Sequence, residues 1–249
     1  LSNNKSFLAQ YFVCIVTVLN IEDINNLNYQ EYKMKKVIAL VLAMVSFSCQ
    51  SKGNPEKAIV KSNKGEIKTD NKNMETAIFA GGCFWCTEAF FTDLKGVDKV
   101  VSGYIGGTKA NPTYKEVSTG DTGHAEAIKI TFDPEQVAYE DLLEIFFATH
   151  DPTSLNRQGA DVGTQYRSEI FYMNDAQKAA AENFIKLLTD QHIYNKAIVT
   201  KVSKAPVFYA AEDYHQDYYA QNSNQPYCAA VITPKLEKLK KNYKSKLKS

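Results

Sequence analysis

Apolar and polar residues alternate with two different periods along this chain, and the change of period outlines its elements. The short apolar run Thr76-Ala77-Ile78-Phe79-Ala80 reads as a buried strand, and Thr87 to Leu94 behind it reads as a helix. Val97 to Ile105 predicts a second strand. His124 to Phe132 alternates, with Ile128, Ile130 and Phe132 on one face and Lys129 and Thr131 on the other. Between them a short helical turn is expected at Tyr114 to Ser118, set among loops rich in Gly, Asn and Pro. Tyr139, Leu142, Leu143, Phe146 and Phe147 recur at helical spacing up to about His150, and the loop from His150 to Thr164 that follows is long enough to carry function. Tyr166 to Met173 predicts a strand; Asp175 opens a helix with Ala176, Ala180, Phe184 and Leu188 on one face. Lys196 to Ser203 predicts a further strand, Phe208 to Tyr219 an aromatic, acidic helix, and Asn222 to Pro226 a break that leaves Tyr227 and Cys228 on coil. Mixed strand and helix order of this kind predicts an α+β sandwich with helices over one sheet.

The first part of the chain follows neither period. Lys35-Lys36, the apolar run Val37 to Phe47 and Ser46-Phe47-Ser48-Cys49 have the form of a secretory leader, too short to span a bilayer. This makes Met34 the expected start and residues 1–48 an upstream extension plus signal peptide. Cys49 directly after the cleavage site resembles the lipidated cysteine of bacterial lipoproteins, so the expectation is an exported protein, a periplasmic lipoprotein of a Gram-negative bacterium, touching membrane only through that lipid. Residues 49–75 have linker composition, residues 76–234 form the expected catalytic domain, and residues 235–249 form a basic tail whose stretch from Lys235 to Lys248 holds seven lysines and one glutamate. That tail reads as a solvated terminal helix.

Composition changes this picture little. A net charge of +1 predicts no general attraction to nucleic acid or anionic membranes. Five cysteines (Cys14, Cys49, Cys83, Cys86, Cys228) are too few and too scattered for a disulfide scaffold.

Cys83 matters most, because it sits where the first strand turns into a helix at Gly81-Gly82. Helix-start amides favour a thiolate there, which marks Cys83 as a candidate nucleophile and predicts a lowered pKa. Glu126 has the parity of the apolar face of its strand. A carboxyl group desolvated in that place is held protonated and can donate a proton. Tyr114 and Tyr166 lie beside turn-rich loops as phenol donors, and Asp161 lies in the long loop. Together these groups suit an attack on sulfur coupled to protonation of an oxygen. Three other readings compete: a thioredoxin-like dithiol built on Cys83-Phe84-Trp85-Cys86, a zinc module, which lacks a second ligand pair, and buried packing thiols. His124 and His215 read as loop-ordering residues, His150 as a helix C-cap and His192 as surface.

The runs Gly82-Cys83-Phe84-Trp85-Cys86-Thr87-Glu88, Asn111-Pro112-Thr113-Tyr114, Gly120-Asp121-Thr122-Gly123-His124-Ala125-Glu126, His150-Asp151-Pro152 and Gly163-Thr164-Gln165-Tyr166-Arg167-Ser168 resemble those of A-class peptide methionine sulfoxide reductases, in order and spacing, from about Ile78 to Cys228. The resemblance implies a two-layer ferredoxin-like α+β sandwich with a mixed or antiparallel sheet and an extended coil C-terminal region. It implies reduction of the S epimer of methionine sulfoxide, free or in proteins, with repair of oxidised proteins as the outcome. By motif, Cys83 attacks the sulfoxide sulfur, Glu126 protonates its oxygen, and Tyr114 and Tyr166 donate hydrogen bonds to that oxygen. Phe84 and Trp85 hold the methyl group, and Asp161 positions substrate. Cys83 is left as a sulfenic acid, resolved by Cys228 or by Cys86, the latter a departure from the commonest pattern. No bound cofactor and no metal are implied. The reductant is thioredoxin or a similar dithiol protein, and the working form is a monomer.

Overall fold

The computed structural model describes residues 73–248. The leader, Met34, Cys14, Cys49 and all but the end of the 49–75 linker lie outside the described residues. The chain begins with β1 (Glu75–Gly81) and α1 (Phe84–Thr92), followed by β2 (Val97–Ile105), α2 (Tyr114–Ser118), β3 (Ala125–Phe132) and α3 (Tyr139–Thr149). The loop after α3 folds on itself as a small pair, β4 (Arg157–Gln158) against β5 (Asp161–Val162), and leads through a 3-10 turn at Thr164–Tyr166 to β6 (Ser168–Tyr172) and α4 (Asp175–Asp190). The last part holds β7 (Lys201–Lys204), β8 (Tyr209–Ala210), α5 (Tyr218–Asn222) and α6 (Thr233–Asn242). Six strands form one sheet in the order β7-β6-β1-β3-β2-β8. Among the described residues only the β6 and β7 pair is parallel, so the α+β class and the mixed sheet anticipated above are what forms.

Strand parity decides where the core lies. Ala77 and Phe79 of β1, Ile128, Ile130 and Phe132 of β3, and Ile170 of β6 face a large apolar cluster shared with α1, α3, α4 and α6. Ile78, Ala80, Ala125, Ala127 and Phe171 face the opposite side, covered by Ala205 and Phe208. β1 is buried on both faces, and so its run of apolar residues is nearly continuous. Phe79 stacks on Phe146 with centroids 4.9 Å apart, and Phe147 on Phe184 at 5.6 Å; each buried ring contributes roughly 1.5–3 kcal/mol. Glu126 shares the parity of Ile128 and Ile130, so the fold carries it onto the helix-covered face.

Four local expectations change. Phe208 to Tyr219 is a short strand, a 3-10 turn and the start of α5 rather than one helix. Side chains staple this segment to β2 instead: Gln216 accepts from Ser102 N at 3.0 Å and donates to Ser102 O at 3.0 Å, while Glu212 accepts from Tyr104 Oη at 2.9 Å. Local bonds of this kind compete with a helix for the backbone. Of Lys196 to Ser203, only the end pairs with the sheet, as edge strand β7. Cys228 is not on coil. The chain is helical from Pro226, and Cys228–Ile232 is a π turn leading into α6; the irregular passage lies earlier, between α4 and α5. Finally, the basic tail is packed rather than solvated. Leu236, Leu239 and Tyr243 enter the main core, and Lys246 donates to Asp141 at 2.9 Å and to the buried Glu144 at 2.6 Å. Three apolar residues spaced three and four apart make one face of a helix, enough to dock it without a sustained heptad.

Candidate active site

β1 ends at Gly81 on the sheet, and the chain turns through Gly82, whose φ of 95° lies in the region where only glycine is comfortable. A Cβ there would also meet the Gln158 side chain at 2.5 Å. This tight turn sets Cys83 at the N-cap of α1 with Phe84 as its first helical residue. The Phe84 amide, one of the unpaired donors of a helix start, donates to Glu126 Oε2 at 3.0 Å. Strand β3 therefore brings its carboxyl group to the same helix start that carries Cys83. Glu126 is 2% exposed, and burial pushes its pKa up to about 8, against the opposing pull of the Phe84 hydrogen bond. At neutral pH it is predominantly protonated.

Tyr114, at the first turn of α2, stacks against Phe84 at 6.4 Å and 19°. Thr113 caps that turn, Glu116 reaching back to the Thr113 amide at 3.0 Å, and Glu212 accepts from Tyr114 N at 2.9 Å. Tyr166 ends the 3-10 turn before β6. Burial first, then the nearby Glu126 charge, raises both phenols, and so they remain hydrogen-bond donors. Trp85 Nε1 donates to His215 Nδ1 at 3.1 Å, and Tyr218 stacks on the Trp85 ring at 3.7 Å and 9°. Phe84, Trp85, Tyr114, His215 and Tyr218 thus make a continuous aromatic wall beside Cys83. His215 orders more than a loop. Burial keeps its imidazole neutral, the state that can accept from Trp85.

The thiols depart from expectation. Cys83 is raised, not lowered: its hydrogen bond with Cys86 comes first, then burial, then the charges of Cys86 and Glu126. Cys86 is the lowered member, stabilised first by that same bond and also by the Tyr227 hydroxyl, whose oxygen is 3.6 Å from Cys86 Sγ. One helix start favours negative charge, and between two adjacent sulfurs it resides on the one with more donors. A cavity of about 390 Å³ opens onto both sulfurs, with Asp161, Tyr227, His150 and Lys235 among its walls. His150 caps α3 as anticipated: Nδ1 donates to Phe146 O at 2.6 Å and Nε2 accepts from Ser168 Oγ at 2.7 Å. Burial depresses His150 to about 4, leaving it neutral. Among the described residues no group of three or more His, Cys, Asp and Glu side chains could hold a metal ion.

The fold brings a buried thiol, a protonated carboxyl group, two phenols and an aromatic wall to one helix start, and comparison with known proteins gives the family. The family model of peptide methionine sulfoxide reductase matches residues 75–247. The chain belongs to the peptide methionine sulfoxide reductase family. It is 59% identical over 174 residues to the peptide methionine sulfoxide reductase MsrA of Deinococcus radiodurans, covering 70% of this chain and 84% of that protein. It is 55% identical over 176 residues to the MsrA of Acinetobacter baumannii, covering 71% of this chain and all of that one. Among solved structures, reduced Mxr1 from Saccharomyces cerevisiae superposes with a TM-score of 0.58 at 31% identity, over 65% of this chain and 92% of that one. Methionine sulfoxide reductase A of Corynebacterium diphtheriae gives 0.54 at 34%, over 64% and 79%. The reaction to be accounted for is the reduction of methionine sulfoxide to methionine.

For a reductase of this family, the fold gathers Cys83, Cys86, Glu126, Tyr114, Tyr166, Phe84, Trp85 and Asp161 around one helix start. Cys228 lies beyond Cys86; burial first, then the Cys86 charge, raises its thiol. It is fully buried in the main core, and among the described residues no hydrogen bond joins it to Cys83. Sequence reasoning passed over Tyr227, which donates to Asp161 Oδ2 at 2.7 Å and reaches Cys86. Its only signal was adjacency to Cys228.

Proposed function

We propose that this reductase acts on the S epimer of methionine sulfoxide, free or within proteins, with Cys83 as nucleophile and Glu126 as the acid. One observation carries the reading: Glu126 is held protonated around neutral pH, hydrogen-bonded to the residue next to Cys83. Cys83 sulfur bonds to the sulfoxide sulfur while Glu126 gives its proton to the oxygen, positioned by hydrogen bonds from the Tyr114 and Tyr166 hydroxyls. The proton lost by Cys83 restores Glu126. Oxygen then passes to Cys83 as the substrate sulfur leaves, giving methionine and a Cys83 sulfenic acid. Phe84 and Trp85 receive the methyl group, since sulfur-bearing groups pack favourably on aromatic rings. Asp161 positions the rest of the substrate. Plain dithiol exchange of the thioredoxin kind is not favoured, because it leaves Glu126 and the two tyrosines without a task.

Attack of a second thiol on the sulfenic acid forms a disulfide and releases water. Cys86 lies one helical turn from Cys83 and is the largest single influence on its thiol, which supports it as first partner, while Cys228 is buried at the start of the Cys228–Ile232 turn, which must open to free it. A thioredoxin-like dithiol protein then takes up the oxidation. The experiment is mass spectrometry of the disulfide trapped after one equivalent of sulfoxide. A Cys83–Cys86 bond that passes to Cys86–Cys228 on standing is expected, and Cys228→Ser should complete one turnover and stall with the dithiol protein. Full multi-turnover activity of Cys228→Ser would make Cys86 alone sufficient.

The leader and Cys49 support an exported, lipid-anchored protein, which we take to work as a monomer. Membrane fractionation and sedimentation of the full chain against Cys49→Ala check this; equal distribution of the two between membrane and soluble fractions counts against the anchor.

A further inference from the structure

The feature left without a task is Tyr227. Its hydroxyl lies between Asp161 Oδ2, at 2.7 Å, and Cys86 Sγ, at 3.6 Å, and its ring meets Trp85 edge-on at 6.1 Å. Those neighbours are the ones assigned above to substrate: the positioning carboxylate, the methyl-binding ring and the sulfur pair. Tyr227 therefore stands where bound substrate must stand. The following residue is Cys228, fully buried, and the turn it opens is a π turn, a conformation uncommon outside functional positions. Before it, Ser223, Asn224, Gln225 and Pro226 are all exposed. The segment is anchored on one side by Tyr218 stacked on Trp85 and on the other by Ile232 in the core, and between those anchors Tyr227 makes its contact with the sulfur site.

We propose that Tyr227 is a latch: its hydrogen bond to Asp161 closes the C-terminal segment over the sulfur site and keeps Cys228 buried, and substrate arriving at Asp161 displaces it. The inference rests on the reading of Asp161 as a substrate-positioning residue. Its consequence is an order of events. With the latch closed, Cys86 is the thiol beside Cys83 and Cys228 is sequestered. When substrate takes the Asp161 carboxylate, Tyr227 withdraws and the adjoining π turn is free to unwind, bringing Cys228 out of the core in time for the disulfide it must accept. Tyr227 acts through Asp161 and through the segment it holds, so it is a positioning residue rather than a catalytic one.

The readout is the alkylation rate of Cys228, measured site by site by mass spectrometry on the full chain, and it does not depend on turnover. Tyr227→Phe keeps the ring and removes the hydroxyl, and Cys228 should then label roughly tenfold to a hundredfold faster, the population shift matching one lost hydrogen bond to a carboxylate. The same variant should bind an S-methionine sulfoxide peptide more tightly, since its competitor at Asp161 is weakened. To separate latch release from general loosening, the peptide is added to Cys83→Ser, which binds without reacting. Cys228 labelling should rise along the peptide binding curve. Labelling unchanged by Tyr227→Phe, or unchanged by peptide that is shown to bind, overturns the latch while leaving the assignment of Cys83 and Glu126 untouched. Failure of the peptide to bind at all would count instead against the reading of Asp161, and the latch would fall with it.

Discussion

Cys83→Ser is expected to abolish reduction of S-methionine sulfoxide, a loss of at least about a thousandfold, as for removal of a nucleophile elsewhere. Serine preserves the shape of the buried N-cap and its place beside Glu126, so the fold should persist. What disappears is the atom that accepts oxygen: a hydroxyl is a poor nucleophile toward sulfur and has no counterpart of the sulfenic acid. Chromatographic measurement of methionine formed from sulfoxide checks the result, beside circular dichroism to show that the variant is folded. Activity within tenfold of the parent would remove Cys83 from the mechanism. Cys86, though its thiol is the more acidic of the two, should not substitute. Its sulfur faces the Tyr227 hydroxyl, whereas Phe84 N ties Glu126 to the Cys83 end of the helix.

Glu126→Gln is expected to lower kcat by roughly 10²–10⁴-fold and to flatten the pH profile. In the parent, the carboxyl group is protonated below about 8, so activity that needs its proton should fall as pH rises through that value. Glutamine can still accept from the Phe84 amide but has no proton of comparable acidity to give. Stability should change in the other direction. A carboxyl group raised from the ordinary 4.5 to about 8 binds its proton more tightly folded than unfolded. Its contribution is therefore fully present below 4.5 and is lost as pH rises through 8, where a buried charge remains. Glu126→Gln carries no such charge and should be more stable than the parent above pH 8, by roughly 2–5 kcal/mol, in urea titrations at pH 6 and pH 9. Loss of activity together with gain of stability is the signature of a group strained for function. A variant less stable than the parent at both pH values would show that Glu126 is simply a structural acceptor.

Much of this could be read along the chain, for local reasons. The alternation of β3 carries Glu126 with Ile128 and Ile130, and a side-chain period of two transfers directly into burial. The Gly81-Gly82 turn and its helix were legible because only glycine accepts the φ of 95° found at Gly82. The elements read wrongly are those whose partners are remote. Gln216 and Glu212 bond to Ser102, Tyr104 and Tyr114, and no window of neighbouring residues contains both ends of those bonds. The docked tail is the same case, since Lys246 meets Asp141 and Glu144 about a hundred residues away in the chain.

Sequence by itself determined the α+β class, the thiol at a helix start and the carboxyl group on an apolar face, because each follows from local period, backbone conformation or residue chemistry. Only the tertiary structure decided the electrostatics of the two sulfurs and the place of Tyr227. A thiol's acidity depends on every donor, charge and burying atom around it. For Cys83 and Cys86 the largest influence is each on the other across one helical turn, then burial, then Glu126, Tyr227 and Asp161, which folding brings from β3, the far end of the chain and the long loop. The helix start alone argued for an acidic Cys83; the paired thiol one turn on, burial and the donors that folding adds shift that acidity to Cys86, and Tyr227 closes the site.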